Sequence, residues 1–505
     1  MGARIHSRSS TGNRLLWYSN GVLNLPFSGS IFDAPPARVL HPSHVPFRRR
    51  LFPILIALGA IVIAVVPALY GVAAIVGIAA LLFFLARPFL GLCALTFCVP
   101  FESVYNLHAG GVNLTVTNFV VFCVAVAWLT RGLSTGDLAT GPIPWRPALI
   151  VYGAVLIASL SQATDLVGSA KELLKWGQML FAYLAAVSMV RTRKDLKTLL
   201  VVMFIAVIAE SAVGAAQVVL HSGPSSFARG ALLRGSGTFE QPNPYAGYLN
   251  TVLPLAVCCL VFRVLPRHWM WLVTLATAVG VLGSLSRGGE LAAAAGLLTI
   301  ALATTKAVRG FILMGVAVVA LVAAGVVAGV LPTAVVDPVT AGLGLANVDV
   351  TNPTPVTWST AERLAHMEAG LNMFADHWWL GVGIGNYPAQ YDKYRVPGPW
   401  TANLGHAHNY YINIAAEAGT VGFAAYLFLF GSAMVICVRS YRRSPDALGR
   451  AISLGGLAAL VGFSCHQFFD DLLVHGMEVQ IGLIMALVTR AGYGFDDQAP
   501  ESVDT

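Results

Sequence analysis

A run of about 20 mostly apolar residues is long enough to cross a bilayer as a helix. This chain contains about 14 such runs, counted against that length. They lie near 51–68, 70–86, 88–101, 114–131, 147–161, 174–190, 198–220, 247–263, 268–285, 288–305, 310–330, 410–437, 451–470 and 475–489. The runs are rich in Ala, Leu and Gly and do not alternate with period two, which argues for helices and against membrane strands. A soluble fold could not hide this much apolar surface. The chain is 56% hydrophobic and 11% charged, where soluble domains carry about a quarter charged residues. The expected fold is all-α, a polytopic transmembrane helical bundle of about 12–14 helices with one large external loop that contains an amphipathic helix. The seven cysteines all lie in apolar runs and read as small buried hydrophobes rather than disulfides or metal ligands.

The basic residues set the orientation. With the N-terminus inside, about 23 of the 31 Lys and Arg residues fall on inner segments and about 8 on outer ones. This bias accounts for the pI near 9.1 without nucleic acid. The outer group is Lys171, Lys175, Arg229, Arg234, Arg287, Arg363, Lys393 and Arg395. The chain then divides into a cytoplasmic arm at 1–50, a first part of the bundle at 51–330, a large external loop at 331–407, a last part of the bundle at 408–490 and an acidic cytoplasmic tail at 491–505. The arm is too long and polar for a cleavable signal. Within the loop, Ser359 with Glu362 fits a capping box. Leu364, Met367, Leu371 and Phe374 follow at helical spacing, as on a helix lying on the outer surface or on the bundle.

Four motifs carry the chemistry. His408 and Asn409 stand where the polar loop enters an apolar helix, followed after nine residues by Gly419-x-x-Gly422. An imidazole there can accept a proton from a hydroxyl near neutral pH. Asn409, Asn413 and Glu417 recur at i, i+4, i+8, a polar stripe that needs a protein interior or a wet cavity. The segment Arg234 to Tyr245 is turn-rich, with an Arg suited to phosphate and with Asn243 suited to capping a helix or binding a sugar hydroxyl. Ser286-Arg287-Gly288-Gly289-Glu290 occupies a tight outer turn, its Arg paired with Glu290, with a lipid phosphate or with substrate. Arg234, Arg287 and His408 all come out on one face, and two arginines at one cavity suit a pyrophosphate. Gly381-Val-Gly-Ile-Gly-Asn-Tyr387 follows no strand and is read as a tight turn shaping the site, not as a nucleotide loop. Tyr387, Tyr391 and Tyr394 either stack on sugars or pack. His406-x-His408 is half a metal site, but no neighbouring Cys or carboxylate completes it, so no metal is assigned. His466, Asp470, Asp471 and His475 cluster at the outer end of a late helix; they bind an acceptor or a cation or simply end the helix in water, and the last reading is favoured.

Over roughly residues 200–490, these motifs resemble the O-antigen ligase and O-antigen polymerase family, membrane glycosyltransferases of the GT-C class. The resemblance implies transfer of an undecaprenyl-diphosphate-linked glycan to an acceptor hydroxyl on the outer face of the bacterial cytoplasmic membrane. The acceptor would be lipid A-core, another glycan or protein Ser/Thr, and no cofactor, nucleotide sugar or metal is implied. The implied roles are His408, Arg287 and Arg234 as catalytic residues, with Asn243, Asn409, Glu417 and Tyr387 binding substrate. The partners are the lipid-linked donor, the acceptor and membrane lipids, with no nucleic acid. Within the class the alternatives are a repeat-unit polymerase or a protein O-oligosaccharyltransferase. Outside it stands a lipid or polysaccharide transporter, disfavoured because the polar signals gather on the outer side.

Overall fold

The computed structural model describes residues 68–104, 106–109, 112–135, 141–229, 232–306, 348–354 and 357–494. The expected arm at 1–50, the apolar run at 310–330, the start of the external loop and the acidic tail after residue 494 lie outside the described residues, as does nearly all of the run at 51–68. The chain divides into two units, Met1–Ala73 and Ala74–Thr505, and the second holds the site described below.

The remaining twelve apolar runs each fall on a helix. In chain order these are α1 (Ala68–Ala86), α2 (Pro88–Cys98), α3 (Val116–Thr135), α4 (Arg146–Ser159), α5 (Leu166–Met189), α6 (Arg193–Leu220), α7 (Pro242–Val261), α8 (Arg267–Gly283) and α9 (Arg287–Thr304). Then come α10 (Trp358–Asp376) and α11 (Tyr387–Tyr394), in the segment expected to be external, followed by α12 (Tyr410–Arg443), α13 (Ala447–His466) and α14 (Met477–Tyr493). The protein is an all-α polytopic bundle. Among the described residues, α3, α6, α7, α12 and α13 contain stretches long and apolar enough to cross a membrane by themselves. Side chains such as Phe122, Ile150, Leu275 and Phe428 stay exposed on the bundle, as a lipid-facing surface requires. Two short hairpins also form, Asn106–Ala109 with Val112–Thr115 and Ala228–Arg229 with Leu232–Leu233. Both sit in connections between helices, where period-two patterning is too short to read.

Polar contacts mark two ends of the bundle. At one, Thr192 and Asp195 form a capping box that starts α6, Asp446 caps α13 and pairs with Arg193 at 2.7 Å, and Arg490 Nε donates to the Val187 carbonyl. The other end gathers the starts of α7, α9 and α12 and the end of α13. Close approach of α9 and α13 depends on small residues: a Cβ on Gly462 would sit 2.8 Å from the Ala292 oxygen, and one on Gly296 3.0 Å from the Ala458 oxygen.

Helix α12 is broken at Gly419, whose φ of 67° and ψ of −166° belong to a region open essentially to glycine. The break frees backbone groups inside the helix, and the segment 378–383 satisfies them. Val382 N donates to Ala416 O at 2.9 Å and Gly383 N to Glu417 O at 2.9 Å, while Thr420 N donates to Trp378 O at 2.7 Å. A Cβ on Gly419 would collide with the Trp379 carbonyl. The two glycine motifs of the sequence are therefore two sides of one joint.

Helix α10 departs from expectation in two ways. The capping box at Ser359 and Glu362 does not form, because the helix begins earlier, with Thr357 at the cap position and its hydroxyl engaged with Thr354. The buried face is also not the Leu364–Phe374 stripe. It is Ala361, Ala365, His366, Ala369, Gly370 and Met373, which pack on the bundle side, while Leu371 is half exposed. Small residues occupy that face where α10 packs against α12 and, through Ala361 and Ala365, against Val396 and Trp400; Leu371 turns outward while Leu364, Met367 and Phe374 are partly buried.

Candidate active site

A cavity of about 400 Å³ opens at the end of the bundle that holds the starts of α7 and α9. Its polar lining comes from Arg234, Asn243, Ser286, Arg287, Arg363 and His466. Arg234 follows the second hairpin and is fixed at two points: Nε donates to the Ser284 carbonyl at 2.8 Å and Nη2 to Asn243 Oδ1 at 2.9 Å. The loop behind it is anchored on α6. Gln217 Oε1 accepts from Ser236 N and Gly237 N, and Glu210 Oε1 accepts from Thr238 N. Gly237, at a φ of 57°, is needed because a Cβ would strike Glu210. Arg287 is the first residue of α9, whose cap Ser286 accepts from Gly289 N. Among the described residues Arg287 makes no ion pair, with Glu290 or otherwise. Arg363 reaches the cavity from α10, beside Ser359 and Thr360. Three guanidinium groups and two helix N-termini make this an anion site.

His408 does not line the cavity; a chain of hydrogen bonds links it to Asn243 in the wall. It sits in the left-handed region at a φ of 51°, which turns its ring back toward the end of α13. Its Nδ1 lies 3.2 Å from Asp470 Oδ1. Asp470 Oδ2 accepts from Asn243 Nδ2 at 2.7 Å, and Asn243 Oδ1 accepts from both Arg234 and Ser286. Burial opposes charge on Asp470, but the hydrogen bond and charge of His408, the charge of His406 and the bond from Asn243 outweigh it and hold the carboxyl well below the usual carboxylate range. An ionised carboxylate only accepts, so Nδ1 of a neutral His408 carries the proton and Nε2 keeps its lone pair. That Nε2 is buried and has no hydrogen-bond partner among the described residues.

Residues 272–427 match the O-antigen ligase family. The match supports the resemblance to O-antigen ligases and polymerases over that stretch. No curated protein matches it. The matched stretch of the ligase domain contains Arg287, Arg363, Tyr387, His408, Asn409 and Glu417, while Arg234, Asn243 and Asp470 lie outside it and are brought to it by the fold.

Asn409, Asn413, Glu417 and the tyrosines likewise sit around the cavity rather than in its lining. Asn409 caps α12, its Oδ1 accepting from Tyr411 N and Ile412 N and its Nδ2 donating to the Phe468 carbonyl. Asn413 Oδ1 accepts from Ala407 N, and Glu417 Oε1 accepts from Tyr387 N at 2.9 Å. Asn413 and Glu417 therefore meet protein interior while Asn409 is partly exposed, and the stripe holds the His408 turn and the glycine segment in place. Tyr387, Tyr391 and Tyr394 pack in a small core with Met373 and Val382. Tyr387 is fully buried, with its hydroxyl donating to the His366 carbonyl at 2.7 Å, so in this structure it is apart from the cavity. His366 stacks on Tyr391 and meets the His408 ring edge-on at 5.7 Å. Burial, with the neighbouring His408 and His406, pushes His366 down to about 4.

Reading Asp470 as the solvent-facing end of a helix is corrected here. It is nearly fully buried and is the shared partner of His408 and Asn243. His466 is also buried and lines the cavity, whereas His475 turns away to pair with Ser103 at 2.9 Å. Arg363 had one signal in the sequence: it is a cation on the side where orientation predicts few.

Proposed function

We propose that this protein transfers an undecaprenyl-diphosphate-linked glycan to an acceptor hydroxyl, without a metal, at the outer face of the bacterial cytoplasmic membrane. The observation that carries the proposal is the hydrogen-bonded line from His408 through Asp470 and Asn243 to Arg234, ending at a cavity with three arginines. The diphosphate of the donor binds Arg234, Arg287 and Arg363. Its negative charge grows as the anomeric carbon–oxygen bond breaks, and fixed guanidinium groups stabilise that charge without reorganising. The acceptor hydroxyl donates its proton to Nε2 of His408 while its oxygen forms the new bond to the anomeric carbon. Asp470 holds the His408 tautomer that can accept this proton and stabilises the imidazolium that results. The polyprenyl diphosphate leaves as an anion and needs no general acid. The side of the membrane follows from the Lys and Arg distribution, which puts these residues outside.

The test uses purified protein in lipid nanodiscs with synthetic undecaprenyl-diphosphate-linked oligosaccharide and a hydroxyl acceptor. A new glycosidic bond, seen by mass spectrometry, is the expected product. His408→Ala should slow its formation at least about 100-fold, the low end of what a positioned acid–base group contributes. Transfer at near-normal rate by that variant would remove His408 from the mechanism, and transbilayer movement of donor without transfer would remove the enzyme reading altogether.

A further inference from the structure

The His408 corner contains a ligand set that spacing along the chain conceals. His408 Nδ1 and His406 Nδ1 lie 3.2 and 4.0 Å from the same oxygen of Asp470. The three donor atoms fall within 4.8 Å of one another. A zinc ion at about 2.0–2.1 Å from each donor separates tetrahedral ligands by roughly 3.3 Å, so one pair already has that spacing and small ring rotations close the rest. The backbone N–H of His408 donates to His406 Nδ1 at 3.1 Å, so that nitrogen carries a lone pair rather than a proton. The two rings meet edge to face with centroids 4.5 Å apart. Asp470 is held in place by Asn243 and is nearly fully buried. The carboxylate that no sequence neighbour supplied comes from 62 positions further along the chain.

We propose that His406, His408 and Asp470 form an inhibitory site for a borderline divalent cation of the Zn²⁺ class. Two imidazoles and one carboxylate suit zinc and its neighbours, whereas Mg²⁺ and Ca²⁺ take oxygen ligands. Three protein ligands leave a coordination position open to water, unlike the closed set of four that a structural zinc takes. The inhibition rests on the role given to His408 above. A cation on Nδ1 takes the lone pair there and obliges the ring proton to sit on Nε2. No net proton is gained or lost, but Nε2 can then no longer accept the proton of an acceptor hydroxyl.

The experiment uses the full chain in nanodiscs after chelator treatment. Zinc binding is measured by equilibrium dialysis and glycan transfer is measured in parallel. The wild type should bind one zinc per chain at this site and lose transfer, with activity restored by EDTA and with Mg²⁺ at the same concentration having no effect. His406→Ala, and His406→Gln as a second variant that keeps a polar side chain, should lose that zinc and need at least tenfold more of it for half-inhibition. Unchanged zinc binding in both variants overturns the site. Zinc bound through His406 with transfer undiminished overturns the inhibition and counts against His408 as the proton acceptor, which separates the two failures.

Discussion

Replacing Asp470 by Asn tests the electrostatic core of the site with almost no change in shape. The carboxylate accepts from His408 Nδ1 at 3.2 Å on one oxygen and from Asn243 Nδ2 at 2.7 Å on the other. An amide has one acceptor oxygen, so it can serve only one of those donors, and its NH₂ faces the other. Asn243 cannot turn over to compensate, because its own oxygen already accepts from Arg234 at 2.9 Å and Ser286 at 2.9 Å. The loss is then one charge-assisted hydrogen bond to the imidazole, worth about 1.5–3 kcal/mol. At 1.36 kcal/mol per factor of ten, transfer at saturating donor should fall about 10- to 150-fold. The assay is the initial rate of glycosidic bond formation in nanodiscs, with kcat and KM for the donor determined separately. A fall in kcat agrees with an aspartate that sets the tautomer of His408. A variant within threefold of wild-type kcat would refute that role, and a rise in donor KM alone would reassign Asp470 to holding Asn243 and Arg234.

Two further outcomes follow from α10 and the joint at Gly419. Gly419→Ala should strain the joint between α12 and residues 378–383 by about 1–3 kcal/mol from backbone conformation alone, before the clash with Trp379. Faster proteolysis within 378–385 and a lower Tm are expected; unchanged susceptibility would show that the joint does not hold the loop. Acidification should loosen α10. His366 is pushed from its ordinary value near 6.5 to about 4 in the folded protein, so the unfolded segment takes up the proton first. The stability held by neutral His366 is therefore complete above about pH 6.5 and is lost as pH falls toward 4, by up to about 3 kcal/mol. Buried His406, also pushed down by burial and by His408, acts in the same direction. Tryptophan fluorescence followed against pH should show the loosening, and His366→Gln should flatten it; an identical profile in that variant would exclude His366 as its origin.

The helices were legible in the sequence because a membrane imposes a length and a composition on any segment that crosses it. All twelve apolar runs within the described residues became helices, and their ends fell near the polar interruptions. That Arg234, Arg287 and His408 belong at one end of the bundle was legible too, since all three stand where apolar runs meet polar turns. Partners across the bundle were not legible. Asp470 meets His408 and Asn243 only because α13 ends beside the starts of α7 and α12. Glu417 and Tyr387 looked like site residues by type, yet the break at Gly419 folds the glycine segment over them and makes them supports. Helix α10 shows the same limit: its large apolar stripe predicted one buried face, and close packing on α12 selected the small-residue face instead. Local pattern thus determined which segments are helical. Which side chains share a hydrogen bond was decided by how those helices pack, because such contacts depend on distances between segments far apart in the chain.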